Sequence, residues 1–197
     1  SASTPADCFE VGVEAVRIAM EHMTPVMVLT DGYISNGSEP WKLPDLDSLK
    51  PISNRIVTEN NNPDGNFLPY TRDEKTLARP WAIPGTPGLE HRVGGLEKQD
   101  LTGNVSYDPE NHENMCRVRQ EKVERIADFI PEQEVFGSED GVLVLAWGST
   151  YGAVRQAVIK ANAQGKKVGH AHVRYLNPFP KNLKELCERY DKVLIPE

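Results

Sequence analysis

Near the N-terminus, Phe9, Val13, Val16, Met20 and Met23 follow one another at steps of three or four, and Val11, Ala15 and Ile18 form a second apolar row. Two rows at helical spacing predict a helix buried over most of its circumference. Ser3 or Thr4 before Pro5 marks its start, with Asp7 near the positive end of the helix dipole, and Thr24-Pro25 marks its stop. The pattern then changes: the uninterrupted run VMVL at 26–29 predicts a strand covered on both faces, as in a parallel sheet. Such a strand needs neighbours, and no strand is predicted before this helix. The expectation is that the sequence enters inside a larger domain, the alternative being a helix packed on a sheet built with the C-terminal part. Asp31-Gly32-Tyr33 after the run reads as a turn served by Gly32.

Periodicity is lost from about residue 34 to 111. Nine prolines, the glycine-rich PGTPGLEHRVGG and the turn-like NNNPDGN leave little room for helices. Trp41, Phe67, Tyr70, Trp81 and Tyr107 nevertheless lie within it, and a disordered linker is normally poor in aromatics. The segment therefore reads as an ordered strap lying across other surfaces, including those of a partner.

Regular patterning returns with Asp108-Pro109, a helix start carried through Met115, Val118, Ile126 and Ile130 to Pro131. Strand 142–147, helix 150–163 ending at Gln164-Gly165, strand KVGHAHVRYL, helix 181–190 and strand KVLIP then alternate. Tyr151, Val154, Val158 and Ala161 mark the core face of the first of these helices. The alternation predicts a parallel sheet with right-handed crossovers and an α/β fold class.

Composition narrows the classes of function. The formal charge of -7, from 22 basic and 29 acidic residues, and the lack of a basic patch argue against nucleic acid or anionic lipid as partners. No apolar run approaches the roughly 20 residues that span a bilayer, and no secretory leader is visible, so a cytoplasmic location is expected. Cys8, Cys116 and Cys187 lie far apart without a CxxC pair, which speaks against a disulfide framework and against zinc or iron-sulfur ligation.

In a parallel sheet, ligands sit beyond the carboxyl ends of the strands, here Gly148-Ser149-Thr150, Asn177-Pro178 and Pro196-Glu197. The stretch WGSTYG is neither GxGxxG nor GxxxxGK[ST], and GSTYG is not the G-x-S-x-G of a nucleophile elbow. A hydroxyl cap from Ser149 or Thr150 on the following helix is the expected role, with contact to an anion or to a partner's cofactor as the alternative. His170 and His172 alternate on one strand and so face the same way, but no third ligand is evident and no metal site is predicted. His91, in the glycine-rich part of the strap, is a further candidate for a functional contact.

Long phrases of the chain carry a resemblance: EHMTPVMVLTDGYISNGSEPW, LARPWAIPGTPGLEHRVGGLEKQDLTGNVSYDPENHENM, GVLVLAWGSTYGAVRQAV and HAHVRYLNPFPKNLKEL. In this order they are similar to the later part of the alpha subunit of 2-oxoacid:ferredoxin oxidoreductases, most closely the 2-oxoglutarate type. The resemblance implies three parts: the end of a thiamine-diphosphate pyrimidine-binding domain at 1–36, an extended connection at 37–111, and a transketolase C-terminal-like α/β domain at 112–197. It also implies a parent complex with thiamine diphosphate, Mg2+ and iron-sulfur clusters, in which a beta subunit, ferredoxin and CoA are partners. The family's Tyr-Pro-Ile-Thr-Pro and Gly-Pro-Ser-Thr-Gly segments do not occur here, so no catalytic residue carries over. Ser149, Thr150 and His91 stay as contact candidates. Scaffolding without catalysis is the expected role of the isolated chain, a freestanding assembly or binding module the alternative.

Overall fold

The computed structural model describes residues 1–49, 51–63 and 65–196. The expectation for Glu197 at the end of the last strand lies outside the described residues. In chain order the elements are α1 (Asp7–His22), α2 (Gly32–Asn36), β1 (Ile56–Val57), β2 (Trp81–Ala82), α3 (Pro109–Glu124), β3 (Phe136–Gly137), β4 (Val142–Ala146), α4 (Tyr151–Ala163), β5 (Val168–His172), α5 (Leu183–Arg189) and β6 (Lys192–Leu194). The chain divides into two compact units.

The first unit comprises Ser1–Ala15, Met27–Leu49 and Ala127–Glu197. Its sheet has the order β3-β5-β4-β6, with β4 parallel to both β5 and β6 and the short β3 antiparallel to β5. The fold is mixed α/β, as expected, but its sheet is not wholly parallel. VLVLA is buried on both faces because its side chains alternate between two layers. Val144 and Ala146 pack with Val154 and Val158 of α4 on one face. Leu143 packs with Ala171 and Tyr190 on the other, joined by Leu145 and Cys187. Gly169 lies at the centre, paired with Leu143 on one side and Gly137 on the other. A Cβ there would stand 2.5 Å from the Ser138 carbonyl oxygen and 2.6 Å from the Tyr190 hydroxyl, so only glycine fits.

Several boundaries move from their expected places. The regular helix begins at Asp7 rather than Pro5, after a turn at residues 5–6; the Thr4 hydroxyl accepts from the Asp7 amide at 3.2 Å as the expected cap, and the Asp7 carboxylate accepts from the Ser3 amide at 2.8 Å and hydroxyl at 2.9 Å. One stripe of α1 is deeply buried, with Val11 and Ile18 in it, whereas Val16 is 50% exposed, so the helix is less enclosed than two apolar rows predict. The predicted strand at 26–29 makes no ladder among the described residues. Met27, Val28 and Leu29 are exposed and extended, held by one longer bond from the Ala2 amide to the Leu29 carbonyl. A strand needs a paired edge, and none of the described segments offers one. Gly32 does not form a turn but opens the short helix α2.

The second unit comprises Val16–Val26 and Lys50–Ile126. The strap is ordered here despite its prolines: β1 and β2 form a two-residue parallel pair, and Phe67, Ala78 and Leu89 are buried. The Trp81 indole donates to the Met20 carbonyl at 2.9 Å and the Lys122 ammonium to the Met23 carbonyl at 2.9 Å. Both bonds satisfy carbonyls at the end of α1, where no intrahelical partner exists. The Arg79 guanidinium carbon lies 4.5 Å from the Tyr70 ring centroid, a cation over an aromatic face. Asp108 caps α3 with Pro109 at its first turn, as the sequence predicts. None of the described helices is long and apolar enough to cross a membrane.

Candidate functional site

The turn between β4 and α4 is built from the residues that attract attention in the sequence. After Ala146 the chain turns at Gly148, whose φ of +63° places it in the region that favours glycine. A single 3-10 turn over Gly148–Thr150 leads into α4. The expected hydroxyl cap is absent: neither Ser149 nor Thr150 caps α4 through its side chain. The Thr150 hydroxyl instead donates to the Trp147 carbonyl at 2.6 Å.

A carboxylate from far away in the sequence takes the place of that cap. One oxygen of Asp31 accepts from the Tyr33 and Ile34 amides, both at 3.0 Å, and so caps α2. The other accepts from the Ser149 amide at 2.9 Å. A Cβ on Gly148 would stand 3.0 Å from that second oxygen, a further reason for glycine at the turn. Hydrogen bonding by the Ser149 side chain, then by the Ile34 and Ser149 amides, draws the Asp31 pKa down to about 2. An anion at this helix start, the alternative to a hydroxyl cap, is thus supplied within the chain by Asp31.

The consequence is testable. Asp31→Ala should lower the thermal midpoint at pH 7, and Asp31→Asn should retain part of the difference because an amide oxygen still accepts. A carboxyl held below its ordinary 3.8 contributes fully above that value and less as pH falls towards about 2. Melting curves of wild type and Asp31→Ala should therefore converge over that window; equal midpoints at pH 7 would show the bonds to be dispensable.

A second constellation lies beside β5. A cavity of about 590 Å³ is lined by Asp7, Phe136, Tyr151, Arg155, His170 and His172 among others. The alternation of β5 places the two histidines on one face, as predicted, with ring centroids 5.4 Å apart. Tyr151 stands over both, 5.9 Å from His170 and 5.0 Å from His172. His170 is 1% exposed. Burial, followed by the neighbouring His172, lowers the His170 pKa to about 4; burial outweighs the Gly148 backbone contact and lowers that of His172 to about 4 as well. Both rings are neutral at pH 7. Among the described residues no group of three or more His, Cys, Asp or Glu could hold a metal ion, so the pair is not completed into a metal centre.

Arg155, four residues after Tyr151, adds the cation that the sequence reading missed. Its guanidinium carbon lies 3.8 Å from the Phe136 ring centroid, and it donates to the Tyr151 hydroxyl at 3.2 Å. The i, i+4 spacing of Tyr151 and Arg155 on one helix face was the available signal, but its partner Phe136 sits on a two-residue strand that no periodicity announces. Arg174 differs, being paired with Asp7 at 2.6 Å. Burial raises the Asp7 pKa, but bonds from Ser3 and Arg174 outweigh it and leave the carboxyl below its usual range.

His91 belongs to the other unit. Its Nδ1 lies 2.7 Å from the Leu89 carbonyl and its ring centroid 5.2 Å from that of Phe67, an exposed position within the strap. The structure thus brings Ser149 and Thr150 to one turn and leaves His91 in a separate unit.

Comparison with known proteins places this architecture. Residues 1–108 match the family described as pyruvate flavodoxin/ferredoxin oxidoreductase, thiamine-diphosphate-binding. The chain belongs to this family. Residues 141–197 match core domain II of pyruvate:ferredoxin oxidoreductase. Subunit KorA of the 2-oxoglutarate oxidoreductase of Mycobacterium tuberculosis is 51% identical over 98% of this chain, which spans 29% of that relative. The alpha subunit of a 2-oxoacid:ferredoxin oxidoreductase of Saccharolobus solfataricus is 30% identical over 90% of the chain, which spans 28% of it. A solved 2-oxoglutarate:ferredoxin oxidoreductase from Magnetococcus marinus, with 2-oxoglutarate, coenzyme A and succinyl-CoA bound, superposes with a TM-score of 0.83 at 32% identity, covering 97% of this chain and 33% of that one.

Ligand sets for the metal ion and the iron-sulfur clusters that the resemblance implies do not come together among the described residues. A metal-bridged diphosphate needs converging carboxylates or other hard donors, and no group of three or more acidic or imidazole side chains comes together among them. The three cysteines are free and separate, so they make no iron-sulfur ligand set.

Proposed function

We propose that this chain is part of the alpha subunit of a thiamine-diphosphate-dependent 2-oxoacid:ferredoxin oxidoreductase, with 2-oxoglutarate as the oxoacid. The parent complex oxidatively decarboxylates it to an acyl-CoA. The observation that carries this reading is the 51% identity to KorA sustained over 98% of the chain. On this reading residues 1–36 close a pyrimidine-binding domain, 37–111 connect, and 112–197 form a transketolase C-terminal-like domain. Thiamine diphosphate, Mg2+ and iron-sulfur clusters are held by other parts of a cytoplasmic complex. A beta subunit, ferredoxin and CoA are its partners. The chain itself scaffolds and assembles, and Ser149, Thr150 and His91 are its candidate contacts to the rest of the complex.

The exposed residues Met27, Val28 and Leu29 fit this role. Met27 is 85% exposed, and an apolar extended segment without a ladder gains stability when another strand pairs with it. The experiment compares the isolated chain with the complete alpha and beta subunits. The chain should neither bind thiamine diphosphate by calorimetry nor reduce viologen with 2-oxoglutarate and CoA, whereas the complete complex does both. Turnover by the chain alone, or no turnover with 2-oxoglutarate by the complex, overturns the assignment. The strap, with Trp41 and Tyr107 exposed, supports a second reading, a freestanding assembly module that recruits a beta subunit through it, distinguished by capture of a beta subunit with residues 37–111 present and its loss when they are removed.

A further inference from the structure

The cavity beside β5 has the chemistry of a receptor. Arg155 is half-buried against Phe136 and Tyr151, and among the described residues no carboxylate lies within ion-pair distance of it. A cation withdrawn from water without a counter-ion is costly, and an anion entering the cavity would relieve that cost. His170 forms part of the wall at 1% exposure, and neither of its ring nitrogens has a hydrogen-bond partner among the described residues. As a neutral ring it keeps one N–H to donate. The Tyr151 hydroxyl accepts from Arg155 and retains its own O–H.

The acidic residues of the cavity do not cancel this. Asp7 is committed to Arg174 and Ser3, and Glu132 and Glu134 are exposed. The planar guanidinium fork with neutral donors beside it can receive a carboxylate, and the apolar rings around it favour an organic acid over inorganic phosphate. The volume of about 590 Å³ leaves room for an organic body against the rings of Phe136 and Tyr175. We propose that this cavity binds a small organic carboxylate, with its carboxylate group against the Arg155 guanidinium. It is a site separate from the Asp31-filled turn at Ser149.

The test uses the complete alpha–beta complex, with succinate and inorganic phosphate as separate probes in titration calorimetry. Succinate should bind wild type at a site whose affinity falls about tenfold or more in Arg155→Met, the loss expected when a charge-assisted hydrogen bond is removed. Arg155→Lys should recover part of it, because the charge returns without the planar fork. Tyr151→Phe, which removes only a hydroxyl, should weaken binding by a few-fold and serves where Arg155→Met does not assemble. Equal succinate affinity in wild type and Tyr151→Phe as well as in any assembled Arg155 variant overturns the proposal, as does absence of an Arg155-dependent site in wild type. Binding of phosphate with no binding of succinate overturns the carboxylate assignment.

Discussion

Lowering the pH from 6.5 to 4 should destabilise the protein markedly. His170 and His172 are neutral in the fold down to about pH 4, whereas in the unfolded chain each takes a proton near 6.5. Their contribution is complete above the unfolded value and is lost as pH falls towards the folded one. Linkage sets the size: each proton taken up on unfolding tilts stability by about 1.4 kcal/mol per pH unit at most. Two histidines therefore permit a slope approaching about 3 kcal/mol per pH unit in the middle of the window. Burial also lowers the pKa of His22, which is 0% exposed in the second unit, so it acts in the same direction. Carboxyls such as Asp7 and Asp73, held below their ordinary 3.8, add their losses only at lower pH. Urea unfolding at intervals from pH 7 to 4 measures the slope. In His170→Phe, which keeps a buried ring in the space between His172 and Tyr151, the slope should flatten by up to one proton. A slope near zero in wild type would show that these rings are hydrated.

The contrast between what periodicity revealed and what it concealed has a physical origin. Val142 to Ala146, the helix through Val154 and Val158, and the shared face of His170 and His172 were legible, because each depends only on neighbours a few positions apart. The Asp31–Ser149 bond joins residues 118 apart, and no local pattern encodes it. Asp31 could be read as a cap for its own helix but not as the acceptor for a second one. Ser149 and Thr150 looked like caps because their residue types are common there; the carboxylate arriving from elsewhere made the hydroxyls unnecessary. The run at 26–29 shows the converse. Its apolar pattern specifies burial, while the partner that would bury it is not among the described residues. The cavity was half legible: the histidine pair followed from a period of two, but Arg155 gained its role through the short strand bearing Phe136.

Replacing Gly169 should be among the more damaging single changes in the C-terminal sheet. The position is tight on the side of β3: an added Cβ meets the Ser138 carbonyl at 2.5 Å, the Tyr190 hydroxyl at 2.6 Å and Val135 Cγ1 at 3.0 Å. The first of these is backbone, and cannot rotate away as a side chain can. It is also the acceptor for the Tyr190 hydroxyl at 2.7 Å, so the methyl would wedge into a hydrogen bond that ties the layer below the sheet to its edge. Gly169→Ala should therefore cost about 3 kcal/mol or more, the upper range for overpacking, by chemical denaturation. Tyr190→Phe alone removes the bond and should cost about 1 kcal/mol. It also removes one of the two closest obstacles. In the double variant the penalties should sum to less than the two singles, with a coupling of about 0.5 kcal/mol or greater, because the methyl then has space on one side. Strict additivity would mean that the strain falls on the Ser138 carbonyl alone. A Gly169→Ala variant as stable as wild type would mean that β3 yields to the intrusion, and the antiparallel edge would then be an adaptable part of the sheet.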